Sequence, residues 1–405
     1  MSAHGVGYTI QDDTGWYSAI CYIRSVPRDR NPFHYGSPVE GEQFTGRERE
    51  VSAVAGRVRD HISVVLLSPR RYGKTSVLRR VESELAGESA AVIHVNVLHC
   101  KDVATLAGAL AAGAYRVPRG RWHRTRQAVP DFLRRLRVTP TVSFDGQGKP
   151  EFAFGPRLEE PEADRVFADV FALLAECAAD SPAALVLDEF QDITTHGERF
   201  PALLKALSDE HPRVSLIVAG SKRHMMERLV VAESAPLYGM AQKISLGPID
   251  NDEMVHFLCR RAEAAGKVMG RATAQEIVDL VGPVPNDIQH LAYEAFEVAG
   301  RSIGRTDVAA GLAQAVAHEE ATYSDDYGRL APGQRRVLSG IALGRRVDSP
   351  MSGTFVADVG LANPSSVRKA ITALEQNELV VERAGGWMVA DPFLAEWLRG
   401  AAEHP

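Results

Sequence analysis

Ser68-Pro69-Arg70-Arg71-Tyr72-Gly73-Lys74-Thr75 puts a glycine, a lysine and a hydroxyl residue at the spacing of a phosphate loop, G-x-x-x-x-G-K-[ST], at every demanding position but the first. Each residue type has a chemical reason. Successive backbone N–H groups and the positive end of the following helix wrap a β-phosphate, Lys74 reaches β and γ oxygens, and the Thr75 hydroxyl ligates Mg²⁺. Gly73 is required where the backbone passes close to phosphate. The candidate nucleotide contacts are therefore Ser68, Pro69, Arg70, Arg71, Tyr72, Gly73, Lys74, Thr75 and Ser76, and the ligand they imply is ATP with Mg²⁺. Ser68 replaces the first glycine, a substitution that fails if that position needs φ > 0.

A second motif lies 114 positions beyond Lys74, where the apolar run Ala183–Leu187 ends in Asp188 and Glu189. Asp188 is placed to hold Mg²⁺ through water, and Glu189 to polarise an attacking water. An acid pair after a strand also begins many surface loops; its pairing with an upstream phosphate loop is what carries the reading. At the end of the next apolar run, VSLIVAG, Ser221, Lys222 and Arg223 stand where a polar residue senses a γ-phosphate. The competing reading is a helix N-cap at Ser221 with solvent-exposed Lys222 and Arg223.

These residues need a sheet. ISVVLL, AVIHVNV, ALVLDEF and VSLIVAG read as strands buried on both faces, separated by helices such as 75–86 and 162–179, an alternation that predicts an α/β domain with a parallel sheet. Residues 1–45 read as an extended strap and 46–248 as the P-loop domain, with an insertion at about 115–160. Between Ile249 and Ala321 the pattern is helical throughout, giving a small lid domain over 249–325. The order helix, helix, turn, helix, two-stranded wing then predicts a winged helix-turn-helix over 326–405.

The chain has 405 residues, 45 % hydrophobic and 24 % charged, with 46 Lys+Arg against 52 Asp+Glu. This is globular composition, and the net charge of −6 rules out a polycation that coats nucleic acid by charge alone. Cys21, Cys100, Cys177 and Cys259 are too widely spaced for zinc ribbons or a C-x-x-C redox pair and read as reduced thiols. With no run of 18 apolar residues and no basic-then-apolar start, the expectation is a cytoplasmic protein.

On FTGREREV (44–51), LLSPRRYGKTSVL (66–78), LVLDEFQDI (185–193), IVAGSKRHMMERL (217–229), GPVPNDIQHLA (282–292) and DPFLAEWL (391–398), the chain resembles the archaeal-type ATPases within the STAND class of P-loop NTPases, close to AAA+ and replication-initiator ATPases. That family uses serine-started loops of the form SPRRYGKTS. The resemblance also implies that Arg47 and Pro285 border the adenine and ribose. It further implies a nucleotide-driven switch that moves the lid and C-terminal module. Where initiator ATPases carry an Arg-bearing G-D-A-R segment, this chain has Gly282-Pro283-Val284-Pro285-Asn286-Asp287, which favours the STAND side.

Two regions are candidates for nucleic acid. Between Arg116 and Arg137 eight arginines face one acid, Asp131, with Trp122 and Phe132 interleaved; Arg121, Arg124, Arg126, Arg134 and Arg135 are the candidate contacts. The alternative is a helical face whose arginines pair with acids of the fold or another subunit. In the winged helix, Arg368 and Lys369 would enter a major groove and Arg383 touch phosphate, but residues 329–405 carry only nine basic against eight acidic residues. DNA or a protein partner both fit. The readings in competition are an ATP-hydrolysing switch and a non-enzymatic nucleotide-gated regulator or scaffold; Glu189 separates them.

Overall fold

The computed structural model describes residues 7–12, 15–20, 30–100, 102–116, 140–144, 150–154, 160–196, 199–383 and 385–403. Two compact units divide the chain: Tyr35–Met254 with Val281–Gln289, and Met1–His34 with Val255–Leu280 and His290–Pro405. The latter unit opens with an antiparallel hairpin, Gly7–Asp12 (β1) against Gly15–Ile20 (β2), within the residues 1–45 read as an extended strap. The aromatic and β-branched residues Tyr8, Thr9, Ile10, Trp16, Tyr17 and Ile20 favour strand backbone here.

In the α/β unit the elements are α1 (Glu48–Arg59), β3 (Val64–Leu67), α2 (Lys74–Gly87), β4 (Ala91–Asn96), α3 (Val103–Arg116), β5 (Pro140–Phe144), β6 (Pro150–Phe154) and α4 (Glu160–Cys177). There follow β7 (Ala183–Asp188), α5 (Arg199–Glu210), β8 (Val214–Gly220), α6 (Arg223–Met226) and β9 (Gln242–Ser245). Five strands form one parallel sheet in the order β4-β7-β8-β3-β9. Alternate residues face opposite layers. Val64 and Leu66 pack under Val51, Val54 and Val58 of α1 and Val77 and Val81 of α2. Val65 and Leu67 join Ile93, Leu187 and Val218 on the other face, beneath Leu110, Phe167, Phe171 and Phe200 from α3, α4 and α5. Each such valine or leucine withdrawn from water contributes about 1.5–3 kcal/mol. Burial on both faces explains the unbroken apolar runs. The edge strand β9, QKIS, is mostly exposed and has no such run. In the insertion, β5 and β6 form an antiparallel hairpin.

The second unit holds most of α7 (Asn251–Ala264), α8 (Arg271–Val281) and α9 (Pro285–Val298), and all of α10 (Arg305–Arg329). A two-residue parallel ladder, Val268–Met269 (β10) with Ser302–Ile303 (β11), interrupts the all-helical pattern expected there. Asn31 donates through Nδ2 to the Tyr293 carbonyl at 3.0 Å, and Phe33 is buried edge-on against Phe296 at 6.1 Å, so this stretch lies along α9.

The C-terminal elements are α11 (Pro332–Gly344), α12 (Gly353–Asp358), α13 (Pro364–Gln376), a hairpin of β12 (Val380–Arg383) and β13 (Gly386–Val389), and α14 (Pro392–Glu403). Asn363 caps α13, accepting from Ser366 N at 2.9 Å, with Pro364 at the first helical position. Val337, Ile341, Val367, Ile371, Leu374 and Phe393 are buried at the centre of this module. Trp397 packs its ring on Tyr323 and Tyr327 of α10, and Trp387 pairs with Val347 as an added bridge on the wing. Among the described residues no helix is long and apolar enough to cross a membrane.

Candidate active site

The carboxyl edge of the parallel sheet is where open α/β sheets accept ligands, and β3, β7 and β8 all end there. Because β8 lies between β3 and β7, residues following β8 sit between the phosphate loop and the acid pair. Leu67 is opposite Gly220 and Asn96 opposite Asp188, so the strand ends align.

Ser68 begins the loop with its N–H on the Gly220 carbonyl at 3.3 Å and its hydroxyl on the Pro69 carbonyl at 2.9 Å. Its φ is not positive, which removes the objection to serine at this position. The left-handed residues are instead Arg71, φ 66°, and Gly73, φ 85°, which serves as N-cap of α2. Pro69 and Arg70 are exposed and Tyr72 is buried. Ser76 spends its hydroxyl accepting from Val39 N at 2.9 Å.

Lys74 is 6 % exposed and its Nζ donates to Asp188 Oδ1 and to Glu189 Oε1, the latter at 2.7 Å. Thr75 Oγ1 donates to Asp188 Oδ2 at 2.9 Å. Phosphate-loop lysine, candidate metal ligands and candidate base therefore converge within single hydrogen bonds. Thr75 and Asp188 present neighbouring hard oxygens, the donor set that Mg²⁺ uses with phosphates and water, so these residues fit the ion. Among the described residues there is no cluster of three or more His, Cys, Asp or Glu that could hold a metal.

Glu189 follows the strand in the left-handed region, φ 50°, a conformation costing a non-glycine residue roughly 1–2 kcal/mol. Both its oxygens are engaged: Oε1 by Lys74, Oε2 by Gln191 Nε2 at 2.6 Å and Ser221 Oγ at 3.0 Å. Burial opposes ionisation, but the Lys74 ammonium and the hydrogen bonds from Gln191, Lys74 and Ser221 outweigh it and hold the carboxyl below its usual range. Ser221 thus belongs to the site through Glu189. Lys222, half exposed, stands 3.9 Å from Asp192, and Arg223 opens α6.

Arg47 is 3 % exposed, with its guanidinium on the Tyr72 and Gly247 carbonyls and on Glu50 at 2.9 Å, so it braces the loop from within the protein. Pro285 is buried at the first position of α9. Next to it Asn286 N donates to the Arg71 carbonyl at 3.4 Å, and Arg71 Nη1 pairs with Asp287 Oδ1 at 3.0 Å. Gln191 and Asp287 are site residues that the motifs contain without marking: each is read only through a partner, Glu189 two positions away or Arg71 across the fold.

Arg121, Arg124, Arg126, Arg134 and Arg135 lie outside the described residues. Arg368 and Lys369 are exposed on α13, opposite its buried face of Val367, Ala370, Ile371 and Leu374; Arg383 ends β12, half-buried.

The fold is an AAA+-like P-loop NTPase parallel sheet followed by helices and a C-terminal winged helix. A family model described as a probable winged helix domain matches residues 321–400. Among solved structures, the Walker-type ATPase PABY2304 of Pyrococcus abyssi is similar with a TM-score of 0.65 at 18 % identity, over 91 % of this chain and 99 % of that one. The ORC2 protein of Aeropyrum pernix, solved as ADPNP-ADP complexes, is similar at 0.53 and 16 %, over 93 % and 99 %. No curated protein matches the sequence.

Proposed function

We propose that this chain binds ATP with Mg²⁺ in the Ser68–Ser76 loop and hydrolyses it to ADP and phosphate. The observation that carries the reading is the convergence of Lys74, Thr75, Asp188, Glu189 and Ser221 at one sheet edge. On nucleotide binding Lys74 exchanges carboxylate oxygens for the β- and γ-phosphate oxygens. Thr75 and Asp188 would hold a Mg²⁺ ion, which when bound would neutralise charge on the phosphates. Glu189 then accepts a proton from the water attacking the γ-phosphorus, while the bond to the β–γ bridging oxygen breaks and its electron pair leaves with ADP. Ser221 orients Glu189 through its hydroxyl and, at the end of β8, is the residue we assign to sensing the γ-phosphate. Arg47 acts through the loop it braces, and Pro285 with the adjoining Asn286 and Asp287 borders the nucleotide.

The division into a P-loop domain (46–248), a lid (249–325) and a winged helix domain (326–405) belongs to this proposal. So do the STAND-type switch role, suggested by Gly282–Asp287 in place of an Arg-bearing segment, and a cytoplasmic setting, suggested by the free thiols of Cys100, Cys177 and Cys259. For the winged helix we propose DNA as partner, because Arg368 and Lys369 are exposed on the helix this module inserts into a groove. The test is phosphate release by wild type, Lys74→Ala and Glu189→Gln, each with and without duplex and single-stranded DNA at two salt concentrations. Hydrolysis lost in both variants, with ATP binding kept by Glu189→Gln, supports the assignment; turnover unchanged in Glu189→Gln overturns it. ATP binding without any wild-type turnover would leave the nucleotide-gated regulator.

A further inference from the structure

We propose that Gln191 is a positioning residue for Glu189, its side-chain amide fixing the carboxylate in the orientation from which it takes the proton of the attacking water. The proposal rests on the reading of Glu189 as the base.

Gln191 is 1 % exposed. Its Nε2 donates to Glu189 Oε2 at 2.6 Å and to Asp192 Oδ2 at 3.2 Å. Two carboxylates on one side of the amide assign nitrogen to that side, since an amide oxygen there would face two anions. Oε1 is buried and has no hydrogen-bond partner among the described residues. It lies against Gly220 at the end of β8, where an added Cβ would come within 2.5 Å of Gln191 Oε1 and 2.5 Å of Met226 Sδ. A leucine would fill this space without leaving an amide oxygen unsatisfied. What glutamine supplies and leucine cannot is the N–H aimed at Glu189.

Glu189 needs such a donor because its backbone is left-handed at φ 50°, and its side chain is held by three residues of three different segments: Lys74, Ser221 and Gln191. Lys74 and Ser221 both have phosphate oxygens to turn to when nucleotide enters. Gln191, wedged against Gly220 and buried, keeps its bond to Oε2 through that exchange and leaves Oε1 facing the water.

The experiment compares wild type, Glu189→Gln, Gln191→Leu, Gln191→Glu and Gly220→Ala for kcat and KM of phosphate release and for Kd of a fluorescent ATP analogue. Expected is a fall in kcat on the order of 10- to 100-fold in both Gln191 variants, with KM and Kd changed less than about threefold. Gly220→Ala, which pushes on the amide without removing it, lowers kcat in the same direction and keeps the test open if a Gln191 variant fails to fold. If kcat stays within about threefold of wild type in the Gln191 variants while Glu189→Gln is inactive, the positioning role is overturned and the base assignment stands. Parallel loss of kcat and nucleotide binding also overturns it, in favour of a packing role. Turnover retained by Glu189→Gln overturns both.

Discussion

Arg71 in the phosphate loop and Asp287 in the first turn of α9 form an ion pair at 3.0 Å in which the acid is fully buried and the base about one-third exposed. The same two segments are joined by Asn286 N on the Arg71 carbonyl. The asymmetry of exposure sets the order of mutational costs. Arg71→Ala takes a partner from a buried charge and is expected to cost about 1–3 kcal/mol, whereas Asp287→Asn removes the charge along with its need for a partner and costs less. Urea unfolding of the two variants measures this; an Asp287→Asn cost above that of Arg71→Ala would contradict it.

Two glycines separate strain from crowding. Gly46 has φ 70°, and a Cβ there would lie 2.3 Å from Ile249 Cγ2; Gly73 has φ 85° but open space around the added atom. Gly46→Ala should therefore destabilise by roughly 2 kcal/mol or more, Gly73→Ala by about 1 kcal/mol. Nucleotide affinity should show the reverse order if, as proposed, Gly73 is where phosphate passes. Thermal melts and ATP-analogue titrations of both variants check the crossing.

The thiols of Cys100 and Cys177 are pushed up to about 11 and about 12, chiefly by burial, with Asp102 and Glu176 adding to it. At pH 8 the Cys100 thiolate fraction is then about one-hundredth of that in the unfolded chain, and alkylation of native protein, followed by peptide mass spectrometry, should be slower by about that factor. The linkage sign follows: the native state keeps its protons while unfolded thiols, near 9, lose theirs, so this contribution is intact below pH 9 and is lost as pH rises towards 11. Stability of Cys100→Ala relative to wild type should improve across that window.

Arg368 and Lys369 are exposed on α13, so Arg368→Glu with Lys369→Glu should leave the melting temperature within about 2 °C. If the winged helix takes DNA, the double variant weakens duplex binding and reduces the salt slope by about one per lost phosphate contact. Fluorescence anisotropy at several salt concentrations reads both; an unchanged slope would point to a protein partner.

The central strands were legible because burial on both faces leaves nothing but apolar residues in VVLL, AALVL and VSLIVAG, and the winged helix because its caps and turn, Ser352, Asn363 and Pro364, are local. QKIS was not: an exposed edge strand of four residues carries no period. Lys74, Thr75, Asp188 and Glu189 could be named because a spacing and a strand end mark each. Asp287 could not, since its partner Arg71 is 216 positions away and nothing local to either residue signals the other. The left-handed backbone at Arg71 was likewise not legible, because no preference of arginine for positive φ signals it.

The strand that carries the phosphate loop has neighbours only from far downstream: Val64 is opposite Ile217, 153 positions on, and Gln242, 178 positions on. On a ribosome adding about 5–20 residues per second, β3 would wait on the order of ten seconds for its first partner to be made. Lys74 cannot meet its carboxylates before Asp188 and Glu189 are made, so the candidate nucleotide site stays incomplete while more than a hundred further residues are added. Such long-range parallel pairing is slow, and an apolar VVLL edge left open meanwhile is exposed to aggregation.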